Sequence, residues 1–245
     1  MRKYLVFFFL FILSSRAAYA ADDYLSRFKQ AGDYYRSGNF EKAVELYKDI
    51  FSHDQTNPEL FYNLGNAYYK QGLTGKAIVN YERALRFAPR DVAARNNLDF
   101  VRKYLNEPEL TFFESVRTWV LLITSLNTTA LALSCLYTVL VAGIVLFLFF
   151  RIRWLVIFNI IAGILFITCS GLFALQYYDQ VIKRWAVVTA NSEARNGPGT
   201  ENSVGFSVPE GRKVQVLGEE NAWCAIGLSH EGLKGWIEKK SLEVI

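Results

Sequence analysis

Three patterns of apolar and polar positions divide the chain of 245 residues. Up to residue 105, apolar positions fall at helical spacing; after Pro89, Val92, Leu98, Val101 and Leu105 mark one stripe of a helix. From Thr128 to Phe150 and from Trp154 to Tyr178 charge vanishes, and each stretch is long enough to span a bilayer as a helix. From Lys183 onward, short runs alternate apolar and polar residues at period two. Turn signals interrupt them at Asn196-Gly197-Pro198-Gly199, Pro209-Glu210-Gly211 and Glu231-Gly232, which predicts five or six strands.

The helical part repeats itself. "YYRSGNFEKAVELY", from Tyr34, aligns without a gap on "YYKQGLTGKAIVNY", from Tyr68. Tyr34 matches Tyr68, Gly38 matches Gly72, Ala43 matches Ala77 and Tyr47 matches Tyr81. With Phe61, Leu64, Gly65, Ala84 and Pro89 this resembles the tetratricopeptide repeat, a helix–turn–helix unit with a period of about 34 residues. Gly65 and Ala77 are small, so the two helices can approach. Pro89 ends the second helix because it has no amide proton to donate. The first copy is weaker, with Arg27, Gln30 and Ala31 where the second has Phe61, Leu64 and Gly65; Leu25 and Phe28 supply its apolar contacts. The expectation is an all-α solenoid over residues 22–105, two repeats closed by a capping helix.

Resemblance to this repeat implies a concave face that binds an extended peptide or a partner helix. The positions it implies are Tyr62, Asn63, Asn66, Tyr69 and Lys70, with Asn96 continuing the row on the capping helix. Paired amide donors and acceptors on Asn suit a peptide backbone. The alternative is a plain solvated polar face. The carboxylate-binding set of some chaperone-docking repeats is missing, because Phe28 and Gly32 replace its Lys and Asn. Gly72 to Lys76 falls short of a phosphate loop: its glycine spacing is too tight and Ala77 replaces the hydroxyl residue.

The two apolar spans, 128–150 and 154–178, are separated by Arg151-Ile152-Arg153, which forces a helical hairpin with both flanks on one side. The arginines place the loop in the cytoplasm. Residues 1–20 have a basic start, a short apolar core and Ala18-Tyr19-Ala20, the pattern of a secretory signal peptide; the alternative is an uncleaved anchor. The leader and the arginine loop agree in sending the flanking domains out of the cytoplasm. Between them, 106–127 carries Phe112, Phe113, Val116, Trp119, Val120 and Ile123 on one face, as an interfacial amphipathic helix or as an elbow against the repeats. The spans hold amides at Asn159 and Gln176 but no ionisable group, which argues against a transporter, pump or intramembrane protease.

Charge and cysteine content remove other classes. The chain has 27 basic and 23 acidic residues. Loss of Arg2, Lys3 and Arg16 with the leader brings it near neutrality, which gives no support for a nucleic-acid partner. Cys135, Cys169 and Cys224 form no metal or disulfide pattern. His53 and His230 have no evident catalytic partner. The sequence therefore predicts no enzyme, no metal and no cofactor.

The tail, 181–245, predicts an all-β SH3-like barrel. Its "VVTANSEARNGPG", "VPEGRKVQVL", "AWCAIGL" and "GLKGWIEKKSLEVI" resemble, in that order, the bacterial SH3 (SH3b) domain. Alternation puts Cys224, Ile226 and Leu228 on one face and Trp223 on the other. Likewise Leu233, Gly235 and Ile237 oppose Trp236. Trp223 and Trp236 are thus a candidate ligand-binding face, unless a bulge turns them into the core. Bacterial SH3 modules commonly bind wall peptides or protein segments.

Signal peptide, repeats, membrane hairpin and SH3b domain, with the "RNNLDFVRKY" segment, resemble the BatE-type proteins of the Bacteroides aerotolerance (Bat) operons. That resemblance implies a multidomain membrane protein that acts as a scaffold beside von Willebrand A-type Bat proteins and a MoxR-type ATPase in oxidative or envelope stress. The rival is a peptidoglycan-sensing or wall-anchoring protein that works through the SH3b domain. A weaker third is a regulatory subunit of an envelope enzyme.

Overall fold

The computed structural model describes residues 23–53, 56–105, 112, 115–116, 120, 125–228 and 231–245. The leader, 1–20, and most of the 106–127 segment lie outside the described residues, as does His230. Contacts divide the chain into two units. Among the described residues, the first takes in 23–105, 186–214 and 218–245; the second includes 125–185 and 215–217.

Among the described residues, the first unit opens with five helices: α1 (23–36), α2 (Phe40–His53), α3 (Pro58–Lys70), α4 (Thr74–Phe87) and α5 (Val92–Tyr104). The repeat is visible in the turns. Gly38 and Gly72, one period apart, both take a left-handed backbone with φ +80° and +77°. Only glycine adopts that conformation without strain. Asn57 starts α3 by accepting from the amides of Glu59 and Leu60, with Pro58 in the first turn. Asp91 starts α5 in the same way. α4 has no side-chain cap from the residue before it.

Gly65 explains the closeness of α3 and α4: a Cβ there would lie 2.7 Å from the Tyr81 ring. Around that crossing Leu60, Leu64, Ala67, Ala77, Ile78, Tyr81, Leu98 and Val101 form one buried cluster. Each large apolar side chain taken fully from water stabilises by roughly 1.5–3 kcal/mol.

The same unit contains most of a seven-stranded sheet. Its strands are β1 (Arg184–Val188), β2 (Ser192–Arg195), β3 (Val204–Val208), β4 (Lys213–Glu220), β5 (Trp223–Leu228), β6 (Leu233–Glu238) and β7 (Leu242–Val244), in the order β3-β2-β6-β5-β4-β1-β7. Pairs β1–β7, β2–β3, β2–β6 and β5–β6 are antiparallel. The predicted turns fall between strands, and the strand count exceeds the expected five or six because β7 is only three residues long. Val188, Val208, Val214, Cys224, Ile226 and Ile237 are buried between the strands' inner faces.

The second unit is built on a hairpin of two helices, α6 (Leu126–Phe150) and α7 (Arg153–Tyr177). Both are long and apolar enough to cross a membrane. α6 starts two residues before the expected Thr128, because Ser125 and Thr128 form a reciprocal capping box. The reversal is made by Arg151, which takes φ +50°. The two helices meet through polar and small side chains. The Thr129 hydroxyl donates to Gln176 Oε1 at 2.6 Å. The Asn159 amide donates to the Leu155 carbonyl in its own helix at 2.8 Å, and its carboxamide lies where a side chain at Gly143 would be.

Candidate functional site

A cleft of about 240 Å³ opens on the first-helix side of the repeats, lined by Tyr35, Asn66, Tyr69, Lys70, Tyr81, Asn97, Phe100 and Val101. α1, α3 and α5 contribute most of the wall, and Tyr81 of α4 forms the floor. Tyr81 is buried, and burial pushes its phenol up, so it stays protonated. Its hydroxyl donates to Asn66 Oδ1 at 2.8 Å. Asn97 Nδ2 donates to the same oxygen at 2.8 Å and approaches the Tyr62 hydroxyl at 3.5 Å. Asn66 is thereby fixed by two partners, one from α4 and one from α5.

Of the sequence-predicted groove residues, Asn66, Tyr69 and Lys70 line this cleft. Tyr62 stands behind it, half-buried, with its ring 6.3 Å from that of Tyr81. Asn63 is half-buried and does not line the cleft. Asn96 is exposed, and its neighbour Asn97 turns to the wall instead. One position on a helix is a rotation of about 100°, so neighbouring residues on α5 present different faces. Sequence reasoning missed Tyr35 and Phe100. Phe100 is 61% exposed and meets the Tyr69 ring edge-on at 6.1 Å, which gives the rim a paired aromatic surface.

On the other side of α4 the repeats and the sheet domain are locked together. Glu82 of α4 pairs with Arg102 of α5 and with Lys213 of β4, the latter at 2.8 Å. Burial resists its ionisation, but the Lys213 ammonium and the Arg102 guanidinium outweigh that and bring the carboxyl down to about 2. Arg83 donates to Glu243 at 2.7 Å and to the Val244 carbonyl at 2.6 Å. Arg86 donates to the main-chain oxygen of Ile245 at 2.7 Å. Apolar contact accompanies the charges. Val187 of β1 is fully buried within the helical cluster, and Ile245 packs against it. The Pro209-Glu210-Gly211 turn presses on Ile78 and Leu105: a Cβ at Gly211, where φ is +85°, would overlap both.

Trp223 and Trp236 stand on the sheet face opposite to the buried Cys224, Ile226 and Ile237. Both are half-buried. Trp236 lies across from Ala225 on one side and Arg195 on the other, while Trp223 faces Glu238. The strand alternation read from the sequence therefore holds, except that Leu233 at the start of β6 is 41% exposed.

Comparison with known families finds matches to the TPR repeat at residues 33–72, the tetratricopeptide repeat at 58–91 and the bacterial SH3 domain at 193–243. The chain thus carries tetratricopeptide repeats and a bacterial SH3 domain, both characteristically interaction modules rather than catalytic ones. A search of curated proteins gives no match. Among solved structures, a crystal structure of PcrH in complex with the chaperone binding region of PopD shares 12% identity over 61% of this chain and 92% of that chain, with a TM-score of 0.34. The first TPR of Spaghetti (RPAP3) bound to an HSP90 peptide shares 19% identity over 34% of this chain and 94% of that chain, with a TM-score of 0.20. Scores this low bear on neither fold nor function.

Proposed function

We propose that the protein is a non-enzymatic, membrane-tethered scaffold whose repeat cleft receives an extended segment of a protein partner. The observation that carries this reading is the Asn66–Asn97 pair set beside the Tyr69–Phe100 rim. The amide pair is held rigid within the wall, and beside it the rim presents two aromatic rings, the kind of large side chain that anchors protein interfaces. Lys70 at the edge adds a cation for an acidic flank.

The hairpin α6–α7 tethers this cleft to the bacterial inner membrane, with both soluble domains outside the cytoplasm. Two observations support that topology. The repeats and the SH3 domain pack within one unit although the hairpin lies between them in sequence, which favours a hairpin whose two flanks share one side. Arg151 and Arg153 cluster at the opposite end, as cytoplasmic loops do. A partner anchored in the same membrane would meet the cleft at a raised effective concentration, so individually weak contacts suffice. By resemblance in architecture, that partner would be a von Willebrand A-type Bat protein, in an assembly for oxidative or envelope stress.

A second reading rests on Trp223 and Trp236. Two half-buried indoles on the outer face of a bacterial SH3 sheet suit a peptidoglycan stem peptide. Photo-crosslinking in native membranes from a probe at Phe100 and, separately, from one beside Trp236 tests both. Protein adducts from Phe100 are expected. Murein fragments from the tryptophan probe alone would give the function to the SH3 domain, and silence at Phe100 would remove the cleft from it.

A further inference from the structure

A solenoid of two repeats is near the minimum for stability, and its last helix needs a cover. α5 would ordinarily be that cover, with a polar outer face in water. Here its far end is covered in turn. Arg102 is held through Glu82 to Lys213 of β4, and Leu105, just past the helix, touches the Gly211 turn. Val187 enters the same apolar cluster as Ile78, Leu98 and Val101. Contacts between domains of one chain are usually polar and mobile, whereas this one shares a buried apolar core.

The two faces of the interface are adjacent along each helix. On α4, Tyr81 points to the cleft and Glu82 to the SH3 domain. On α5, Asn97, Phe100 and Val101 line the cleft while Arg102 turns toward Glu82. We propose that the SH3 domain is the closing cap of the repeat solenoid: by docking on α4 and α5 it holds α5 in the position that forms the far wall of the cleft. The module is then a structural part of the groove as well as a separate surface, and anything that displaces it loosens that wall.

Hydrogen exchange on the full-length protein in detergent micelles tests this. Lys213→Glu sets two carboxylates against each other at the Glu82 junction. Amides of 92–104 should then exchange at least about tenfold faster, together with those of 209–214, while β5 and β6 keep their protection. Faster exchange at 209–214 with 92–104 unchanged would overturn the proposal, and so would no change in either. If Lys213→Glu also exposes β5 and β6, the exchange of charges at Arg83 and Glu243 decides instead. Arg83→Glu and Glu243→Arg alone should each accelerate 92–104, and the double variant should restore it; a double variant no slower than the singles, or singles without effect, would sink the cap.

Discussion

Glu210 Oε1 accepts a hydrogen bond of 2.6 Å from the main-chain amide of Gly75. The two residues are 135 positions apart, one in the turn between β3 and β4, the other in the first turn of α4. The first amides of a helix have no partner within it, and together they carry a partial positive charge. Leu73, the residue before α4, offers no side chain to satisfy them. The SH3 domain therefore supplies the missing cap as a carboxylate.

Glu210→Ala should cost about 1 kcal/mol, as the loss of an N-cap side chain does, and lower the melting temperature of the helical signal by roughly 2–4 °C. Circular dichroism at 222 nm on the full-length protein measures it. An unchanged midpoint would mean that water replaces the carboxylate at no cost.

Gly75→Ala tests the same junction with the opposite naive sign. In an exposed helix interior the change usually stabilises by up to about 1 kcal/mol. Here the new methyl would lie 2.8 Å from the Val188 carbonyl oxygen and 2.9 Å from Thr189 Cα, both main-chain atoms that cannot swing aside. The variant should be less stable than the parent in thermal melts and should undock the SH3 domain in the exchange experiment.

Glu82 makes docking acid-sensitive. Its carboxyl titrates near 2 in the folded protein and, once released, near the ordinary value of 4.5. A depressed carboxylate contributes stability above its unfolded value and loses it as pH falls toward the folded one. Stability should thus be flat above about pH 5 and fall between about 4.5 and 2, by at most about 3 kcal/mol from this group. Glu82→Gln should be less stable at neutral pH and should flatten that limb. Urea midpoints at pH 7, 4 and 2.5 for both proteins would show it; parallel curves would assign the acid sensitivity elsewhere.

In the membrane-length helices, Gly143→Val places a branched side chain against the Asn159 carboxamide and the Phe158 ring. The expected outcome is a splayed hairpin. Engineered cysteines at Thr129 and Gln176, in a background lacking Cys135, Cys169 and Cys224, report it: they should crosslink in the parent and lose most of that yield with Gly143→Val. Equal yields would show that α6 and α7 do not depend on close approach.

What the sequence reveals depends on range. The repeat is legible because Gly38 and Gly72, Ala43 and Ala77, and Tyr47 and Tyr81 meet local needs that recur at a fixed period. The SH3 strands are legible because Cys224, Ile226 and Ile237 alternate with polar-side neighbours over a few residues. The place of Asn97 in the cleft wall is not legible because the closing helix follows no full repeat, so nothing local fixes its rotation. The docking of the two modules is invisible in the sequence. Glu82, Arg83 and Glu210 look like ordinary surface charges, and the partners they find in the other module lie more than a hundred residues away across the hairpin.

The cleft separates structural from recognition residues, and this shapes the last test. Asn66 accepts from the buried Tyr81 hydroxyl as well as from Asn97. Asn66→Ala therefore strands a buried donor and should cost about 1–3 kcal/mol. Lost partner recovery in that variant would not distinguish binding from packing. Phe100 is different: it is mostly exposed, and its ring meets that of Tyr69 at the rim. Phe100→Ala should leave the melting curve within about 0.5 kcal/mol of the parent, as surface changes usually do. If the cleft holds a partner segment, the same change removes an aromatic anchor worth about 2 kcal/mol, which weakens binding roughly thirtyfold. Pull-down from detergent-solubilised membranes, with protein level and melting curve measured in parallel, reads both quantities. A folded Phe100→Ala protein that still recovers the same partners in the same amounts would exclude the cleft as the binding site and leave the Trp223–Trp236 face as the surface to probe.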